Sequence, residues 1–320
     1  MKLGDVLNKS TKALLENEIE NKDIDKKNKL KEPKTFEEQI NILKERNMFI
    51  EDEEFAVKVL KSINYYRLTA YALQFKKENK YLNETSFNTV YRLYKFDNKL
   101  KHLLLEILES IEITTRTYLA YYLSITFGSE AYKNIGIYKD SSKYEGDENN
   151  RGLRDEIKKE IKKNSKEPFI IHHNKKYDGK FPMWVIVEIF SFGMLSKMYG
   201  NLKTNIQKEI SRNCFGINYV LLASWLNNFA HVRNICAHYG RIYNKKMAMK
   251  AVIHKKYIKY KLDDDKIFVT ILAIKELMIN TIEWKCFFKE LEILLKEYQD
   301  IVDLNLIGFP DNWSEILSKK

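Results

Sequence analysis

The amino-acid sequence predicts an all-α protein. Gly and Pro, the two residues that most disfavour helices, are scarce, with 11 and 4 copies in 320 residues. Leu, Ile, Lys and Glu are abundant, and apolar residues recur at steps of three and four, the period of an amphipathic helix. We therefore expect a helical bundle with an N-terminal helical extension and extra helices at the C-terminus.

The N-terminal part of the chain predicts a charged arm followed by two helices. Residues 1–34 carry few large apolar side chains, which is typical of a mobile or marginally helical arm. Thr35 and Glu38 have the spacing of a capping box, which predicts a helix through about Arg46. A second helix is expected from Glu51 to Ser62.

An aromatic cluster follows at residues 63–75. Arg67 is surrounded there by four aromatic residues, Tyr65, Tyr66, Tyr71 and Phe75. Aromatic rings near an Arg can stack on nucleic-acid bases. Such clusters more often form part of a hydrophobic core, and we favour core here.

A long helix is predicted from about Phe87 to Phe127. Its apolar stripe consists of Leu93, Leu100, Leu104, Ile107, Ile111, Tyr118 and Tyr122. Glu112 and Arg116 lie four residues apart on another face, and this spacing alone favours an ordinary surface ion pair. The functional alternative is that this face lies along the polar face of another helix.

Residues 139–180 are polar and predict an insertion or loop with one short charged helix at about 151–163. His172 and His173 lie in this region. Adjacent histidines in a regular element cannot both face one metal ion, and no cluster of Cys or carboxylates accompanies them. We therefore predict no zinc site and no metal or other cofactor.

The helices that follow are predicted from apolar patterns. A helix from Pro182 to about Tyr199 is apolar nearly all round, so it is expected in the core, with Glu188 either paired or at an edge. A helix at about 266–280 follows a basic connector, and the helical pattern continues from Trp284 to Tyr298.

The stretch from Ser224 to Asn244 carries the most distinctive pattern. If a helix begins near Asn218, one face is apolar: Leu222, Trp225, Phe229, Val232 and Cys236. The opposite face carries amides, imidazoles and a guanidinium instead of Lys and Glu: Asn227, His231, Asn234, His238 and Arg241. Gly240 is expected to loosen the helix or end it.

The segment from Arg233 to His238 suits the cleavage of RNA without a metal. Histidine is the residue type that exchanges protons near neutral pH, so His238 suits the transfer of the proton of a ribose hydroxyl or of the leaving oxygen. Arg233 can hold the charged phosphate, and Asn234, four residues before the histidine, can orient the ring. Positions five apart on a helix diverge, so Arg233 and His238 would flank a groove that a second copy could complete.

The sequence RNICAHYGRIYN resembles the R-N-x-x-A-H-x-x-R-x-x-N signature of Abi-like proteins of bacterial abortive phage infection, of the AbiD/AbiF type in the HEPN superfamily. Further blocks at 65–71, 93–123, 181–202 and 224–244 resemble the family in order, so the likeness covers roughly residues 35–250.

The resemblance implies a HEPN-type helical bundle, a homodimer and a metal-independent endoribonuclease of antiphage defence whose site is shared between two subunits. By the family motif, Arg233 and His238 correspond to the catalytic pair and Asn234 to the residue that supports them. RNA-binding or supporting roles are expected for five further residues: Arg241, Asn244, Glu112, Arg116 and His231. The HEPN-like domain is placed at 86–300, after an N-terminal helical region at 35–85 and before a tail at 301–320.

One departure from the pattern concerns regulation. HEPN toxins that are silenced by nucleotidyltransferase antitoxins commonly carry Tyr two residues after the His, whereas this chain has Gly240 there and Tyr239 beside the His. Silencing by nucleotidylation at that position is therefore not expected, and regulation by a partner RNA or an antitoxin protein stays open.

Two other interpretations remain. The formal charge of +11 suits a non-catalytic RNA-binding or sensor module equally well. The motif could also only cap and cross-link helices.

The sequence also bears on the compartment. Three widely spaced Cys and an apolar run at Phe181–Leu195 that is too short to span a bilayer predict a cytoplasmic protein without a membrane partner.

Overall fold

The computed structural model describes residues 30–147, 151–278 and 281–319, so most of the predicted N-terminal arm lies outside the described residues. The chain divides into two compact units, residues 1–88 and 89–320. Nearly all regular structure in the described ranges is helical, and the only sheet found there is a two-stranded ribbon. The prediction of an all-α fold is confirmed. The predicted domain boundaries stay a prediction.

The described part of the first unit, from residue 30 onward, contains these helices and the ribbon: α1 (Phe36–Glu45), α2 (Glu53–Ser62), α3 (Tyr65–Thr69), β1 (Lys76–Lys77) and β2 (Lys80–Tyr81). The predicted capping box is present, because Thr35 accepts a hydrogen bond from the backbone of Glu38 and the Glu38 carboxylate accepts one from the backbone of Thr35. Helix α1 packs on α2, and the strands pair antiparallel with Lys76 opposite Tyr81.

The helices described in the second unit differ widely in length, from four residues to 41. They are α4 (Phe87–Phe127), α5 (Ser141–Glu145), α6 (Leu153–Lys163), α7 (Pro168–Lys176), α8 (Met183–Ile186), α9 (Phe192–Asn201), α10 (Thr204–Ile210), α11 (Tyr219–Ala237), α12 (Ile267–Met278), α13 (Ile282–Glu297) and α14 (Trp313–Ser318). Short 3-10 or π segments occur at Leu73–Phe75 in the first unit and at Ala131–Lys133, Ile135–Ile137, Val187–Ile189, Ser211–Phe215, Lys255–Tyr260 and Leu304–Ile307.

The core of the second unit lies around α11 and α12. Helix α11 packs against α9 and α12, and α12 is buried along nearly its whole length. Even Lys275 of α12 is buried, and its ammonium group donates a hydrogen bond of 2.6 Å to the carbonyl of Ile316 in α14. The helix predicted at 87–127 has those bounds as α4.

One predicted helix is interrupted in the structure. The expected helix from Pro182 to about Tyr199 is broken, because α8 continues as a 3-10 turn and the chain is extended at Phe190 before Ser191 caps α9. Trp184 is 55% exposed, so the segment is not buried all round. Glu188 is exposed and lies 3.9 Å from Arg116, as expected of a carboxylate at an edge.

The described residues of the polar region at 139–180 contain more helix than predicted. The region contains the expected helix, α6, but also α5 and α7, and each of these two buries an apolar side chain, Tyr144 and Ile170 respectively. His172 and His173 lie in α7, with His173 Nδ1 3.1 Å from the carbonyl oxygen of Lys180. Few apolar residues anchor these short helices, which is why periodicity alone did not reveal them.

Candidate functional site

Helix α11 presents the predicted motif from one edge of the core. Asn218 caps it, and its side-chain oxygen accepts a hydrogen bond of 2.8 Å from the backbone of Val220. The five residues of the predicted apolar face are all buried: Leu222, Trp225, Phe229, Val232 and Cys236. The residues of the opposite face are turned outward or half-buried, so the two-faced interpretation of this helix is confirmed.

The helix ends earlier than the sequence suggested. Its last residue is Ala237, and His238 is the C-cap with φ −96° and ψ 20°. The Gly240 amide donates to the Ile235 carbonyl at 2.7 Å and the Tyr239 amide donates to Cys236 at 3.1 Å, the two bonds of a Schellman motif. The prediction that Arg241 extends the helical stripe was therefore wrong, because the chain has already turned.

The conformation of the turn restricts which side chains fit at positions 239 and 240. Tyr239 adopts φ +57°, the left-handed region that usually favours Gly. Gly240 cannot carry a side chain without displacement, because an added Cβ would lie 2.8 Å from Cγ2 of Ile235. The close approach of Ile235 therefore explains why residue 240 is Gly. Tyr239, which follows His238 directly, has a strained backbone conformation instead.

Arg233 is held by a carboxylate from α4. Its Nε lies 3.5 Å from Oε2 of Glu112, whose Oε1 is 3.1 Å from Nη2 of Arg116. Arg116 also donates a hydrogen bond of 2.8 Å to the carbonyl of Phe190. Glu112 thus bridges two guanidinium groups, and it is buried. The interpretation of Glu112 and Arg116 as an ordinary surface ion pair was wrong.

Burial dominates the electrostatics of Glu112. Loss of solvent raises the pKa of its carboxyl above 4.5, and the charges of Arg233 and Arg116 oppose that rise. The two cations therefore offset only part of the cost of burying the carboxylate. The buried carboxylate lies against Arg233, where it limits the directions that this guanidinium group can take.

His238 and Asn234 are both exposed at the surface of this chain. The backbone carbonyl of Asn234 accepts the amide hydrogen of His238 at 3.0 Å. Within the described ranges no side-chain hydrogen bond joins the two residues, so the expected orientation of the imidazole by the Asn234 amide is not present here. Arg241 and Asn244 are half-buried, and Asn244 adopts φ +49°.

His231 lies on the polar face of α11 and is half-buried. Its Nε2 is enclosed and has no hydrogen-bond partner among the described residues. Burial, and then the positive charge of Lys245, lower the pKa of the imidazole below 6.5. His231 is therefore neutral at physiological pH, which suits an uncharged supporting role better than phosphate binding.

Asp97 of α4 is a site residue that the sequence interpretation missed. It is fully buried, and its Oδ1 accepts hydrogen bonds from the backbone amides of Ile242 (3.0 Å) and Tyr243 (2.7 Å). Lys101 lies 3.2 Å from Oδ2, close enough for an ion pair although not in hydrogen-bonding geometry. The signal was available, because Asp97 interrupts an otherwise apolar stripe between Leu93 and Leu100.

The exposed imidazole of His238 and the half-buried guanidinium of Arg233 are the candidate functional groups of this arrangement. The thiol of Cys236 is buried, and burial raises its pKa to about 12, so it is not a nucleophile at neutral pH. In the part of the chain that the structure describes, no three His, Cys, Asp or Glu side chains converge as a metal site.

A comparison with known families identifies the family of this chain. Residues 58–244 match the family of Abi-like proteins, which is more than half of the chain. This chain belongs to the Abi-like protein family. The matched range of the Abi-like family ends at Asn244, the last residue of the motif, and contains Asp97 and Glu112.

Searches of curated proteins and of solved structures find no match to this Abi-like chain. Its membership of the HEPN superfamily and of the AbiD/AbiF type stays a prediction. None of the helices in the described ranges of the Abi-like chain combines the length and the apolar character that crossing a bilayer requires.

Proposed function

We propose that this Abi-like protein is a metal-independent endoribonuclease of antiphage abortive infection. The observation that supports it best is the pairing of Arg233 with the buried Glu112 beside an exposed His238 at the end of the same helix. A permanently charged group with a fixed direction and an accessible imidazole are the two groups that RNA cleavage by a 2′-hydroxyl requires.

In the proposed reaction, an imidazole accepts the proton of the ribose 2′-hydroxyl. The 2′-oxygen then attacks the adjacent phosphorus, the bond from phosphorus to the 5′-oxygen breaks, and the leaving oxygen takes a proton. Arg233 stabilises the negative charge that builds up on the phosphoryl oxygens. The products are a 2′,3′-cyclic phosphate and a free 5′-hydroxyl.

The reaction needs a group that accepts a proton and a group that donates one, and a second copy of the chain would supply the second imidazole. An apolar stripe on α4 supports a homodimer, since Ile113, Tyr121 and Ile125 are 52%, 67% and 74% exposed. Ile113 follows Glu112 directly, so a dimer that covers this stripe would bring a second chain close to Arg233. The dimer is tested by light scattering, with Ile125→Lys expected to yield monomers that do not cleave RNA.

The test of activity is incubation of the purified protein with defined RNAs in EDTA, followed by analysis of the product ends. We expect His238→Ala to lower cleavage by about 10²–10⁴-fold and Arg233→Ala by about 10²–10³-fold. His172→Ala and Arg154→Ala replace exposed residues of the same types and serve as matched controls. Cleavage at the parent rate by both site variants, or an absolute need for a divalent ion, would refute the proposal.

The same variants decide between this function and the two alternatives. A non-catalytic RNA-binding module would bind RNA in a salt-sensitive way without forming any product. A purely structural motif would make His238→Ala melt at a clearly lower temperature, whereas an enzyme would give a folded and inactive variant. The defence role is tested in cells, where protection against phage should be lost with His238→Ala and kept with His172→Ala.

A further inference from the structure

The first unit contains an open groove that the proposed cleavage site does not use. The groove has a volume of about 820 Å³ and is formed by the segment before α1, one side of α1, the end of α2, α3 and the ribbon. Pockets of ~300–1,000 Å³ are typical of ligand sites. The volume alone does not identify a ligand, whereas the charged and aromatic side chains that line the groove indicate its class.

The charge of the groove differs from that of the unit around it. Residues 30–88 contain ten Lys and Arg and ten Asp and Glu, so this part of the chain is neutral. Five of the ten basic residues line the groove, namely Lys31, Lys34, Arg46, Lys61 and Lys76, against one acidic residue, Glu32. The positive lining is therefore a property of the groove rather than of the Lys-rich composition.

Much of this charge is available to a ligand. Lys34 forms an ion pair of 3.0 Å with Glu38. Among the described residues, no carboxylate lies within ion-pair distance of Arg46, Lys61 or Lys76. Cations that no described carboxylate neutralises, gathered along one groove within a part of the chain that has no net charge, favour a polyanion.

Aromatic rings lie beside these cations. Tyr66 is 74% exposed, and its ring meets that of Tyr65 edge to face at 5.6 Å. Asn64 caps α3 and fixes the backbone of Tyr66, while Arg46 Nη1 lies 3.4 Å from the hydroxyl of Tyr65. The prediction that this cluster is core holds for Tyr71, which is buried, and was wrong for Tyr66.

We propose that this groove binds single-stranded RNA, with a base stacked on Tyr66 and the adjoining phosphates held by Lys61, Lys76 and Arg46. Stacking needs an unpaired base, because the faces of paired bases are covered by their neighbours in a duplex. A protein partner would use the apolar surface of the groove but not its unneutralised charge. This site is additional to Arg233 and His238, and its binding does not depend on cleavage.

Binding is measured by fluorescence anisotropy with a labelled twelve-nucleotide oligouridine. The full chain carries His238→Ala and the buffer contains EDTA, so the probe stays intact. We expect Tyr66→Ala to weaken binding by about fivefold or more, since stacking contributes ~1–3 kcal/mol per base. Tyr66→Phe keeps the ring and should bind like the parent. Equal losses for the Ala and Phe variants would exclude stacking.

The lysines are tested through the salt dependence. Replacing Lys61 and Lys76 together by Ala should reduce the slope of log affinity against log salt concentration by about 1.4, the value for two phosphate contacts on a single strand. Lys58→Ala with Lys77→Ala is the matched control, because both residues are exposed in the same unit and do not line the groove. An equal change in the control pair would overturn the proposal.

Competition identifies the ligand class. Unlabelled oligouridine should displace the probe at a concentration several-fold lower than an RNA duplex of the same length, and equal competition would refute recognition of unpaired bases. The two proposals fail separately. If the parent never cleaves RNA but the groove variants release the probe, only the enzyme proposal fails. If the parent cleaves and the groove variants bind unchanged, only the groove proposal fails.

Discussion

The two ends of the motif are held in different ways. Arg233 lies inside α11 and is fixed by side-chain contacts, because the buried Glu112 pairs with it at 3.5 Å and with Arg116 at 3.1 Å. His238 lies just beyond the helix, at the cap of a Schellman turn, and among the described residues its contacts are backbone hydrogen bonds. The guanidinium of Arg233 is therefore oriented by side chains of the same chain, whereas no side chain in the described ranges orients the imidazole of His238.

We therefore expect substitutions at the two ends of the motif to affect stability differently. A change on the α4 side should disturb folding, since that side is buried. A change at the turn should have a smaller effect on stability, since that side is exposed. The segment after the turn is the exception, because Asp97 connects it to the core.

The largest effect is expected for Asp97→Ala. This change leaves the amides of Ile242 and Tyr243 without their acceptor and Lys101 buried without its carboxylate. Removing one partner of a buried ion pair costs ~3–5 kcal/mol, so chemical denaturation should show a loss of about 3 kcal/mol or more. Asp300→Ala removes an exposed carboxylate that pairs with Arg92 and should lower the free energy of unfolding far less, because solvent screens that pair. Equal losses for both variants would show that Asp97 does not anchor this segment.

Effects of intermediate size on stability, one stabilising and one destabilising, are expected for substitutions of Tyr239 and Gly240. Tyr239→Gly relieves the left-handed backbone and should stabilise the protein by up to about 1 kcal/mol. Gly240→Ala forces a Cβ against Ile235 and should destabilise it by ~1–3 kcal/mol. Thermal melting of the two variants checks the pair, and a shift of the same sign in both would contradict the Schellman geometry described above.

The sequence predicted most of the fold but only part of the site. The long apolar stripe of α4 and the two faces of α11 follow directly from helical periodicity, so the bounds of α4 and the start of α11 could be predicted closely. The end of α11 could not, because Tyr239 occupies the left-handed position where Gly would have been the sequence signal. Glu112 and Asp97 were misjudged or missed for another reason, since spacing within one helix does not show which face a distant helix will cover.

The smallest effect is expected for His231→Phe and depends on pH. In the folded chain burial lowers the pKa of His231 below its ordinary 6.5, so the unfolded chain binds a proton more readily. The stability that the neutral ring contributes is therefore complete above pH 6.5 and is lost as the pH falls below it. Phe keeps the ring and removes the titration, so the difference in melting temperature between pH 8 and pH 5.5 should be narrower in the variant. The change should be small, because the side chain is only half-buried. An equal or wider difference would show that His231 is not held in its neutral form.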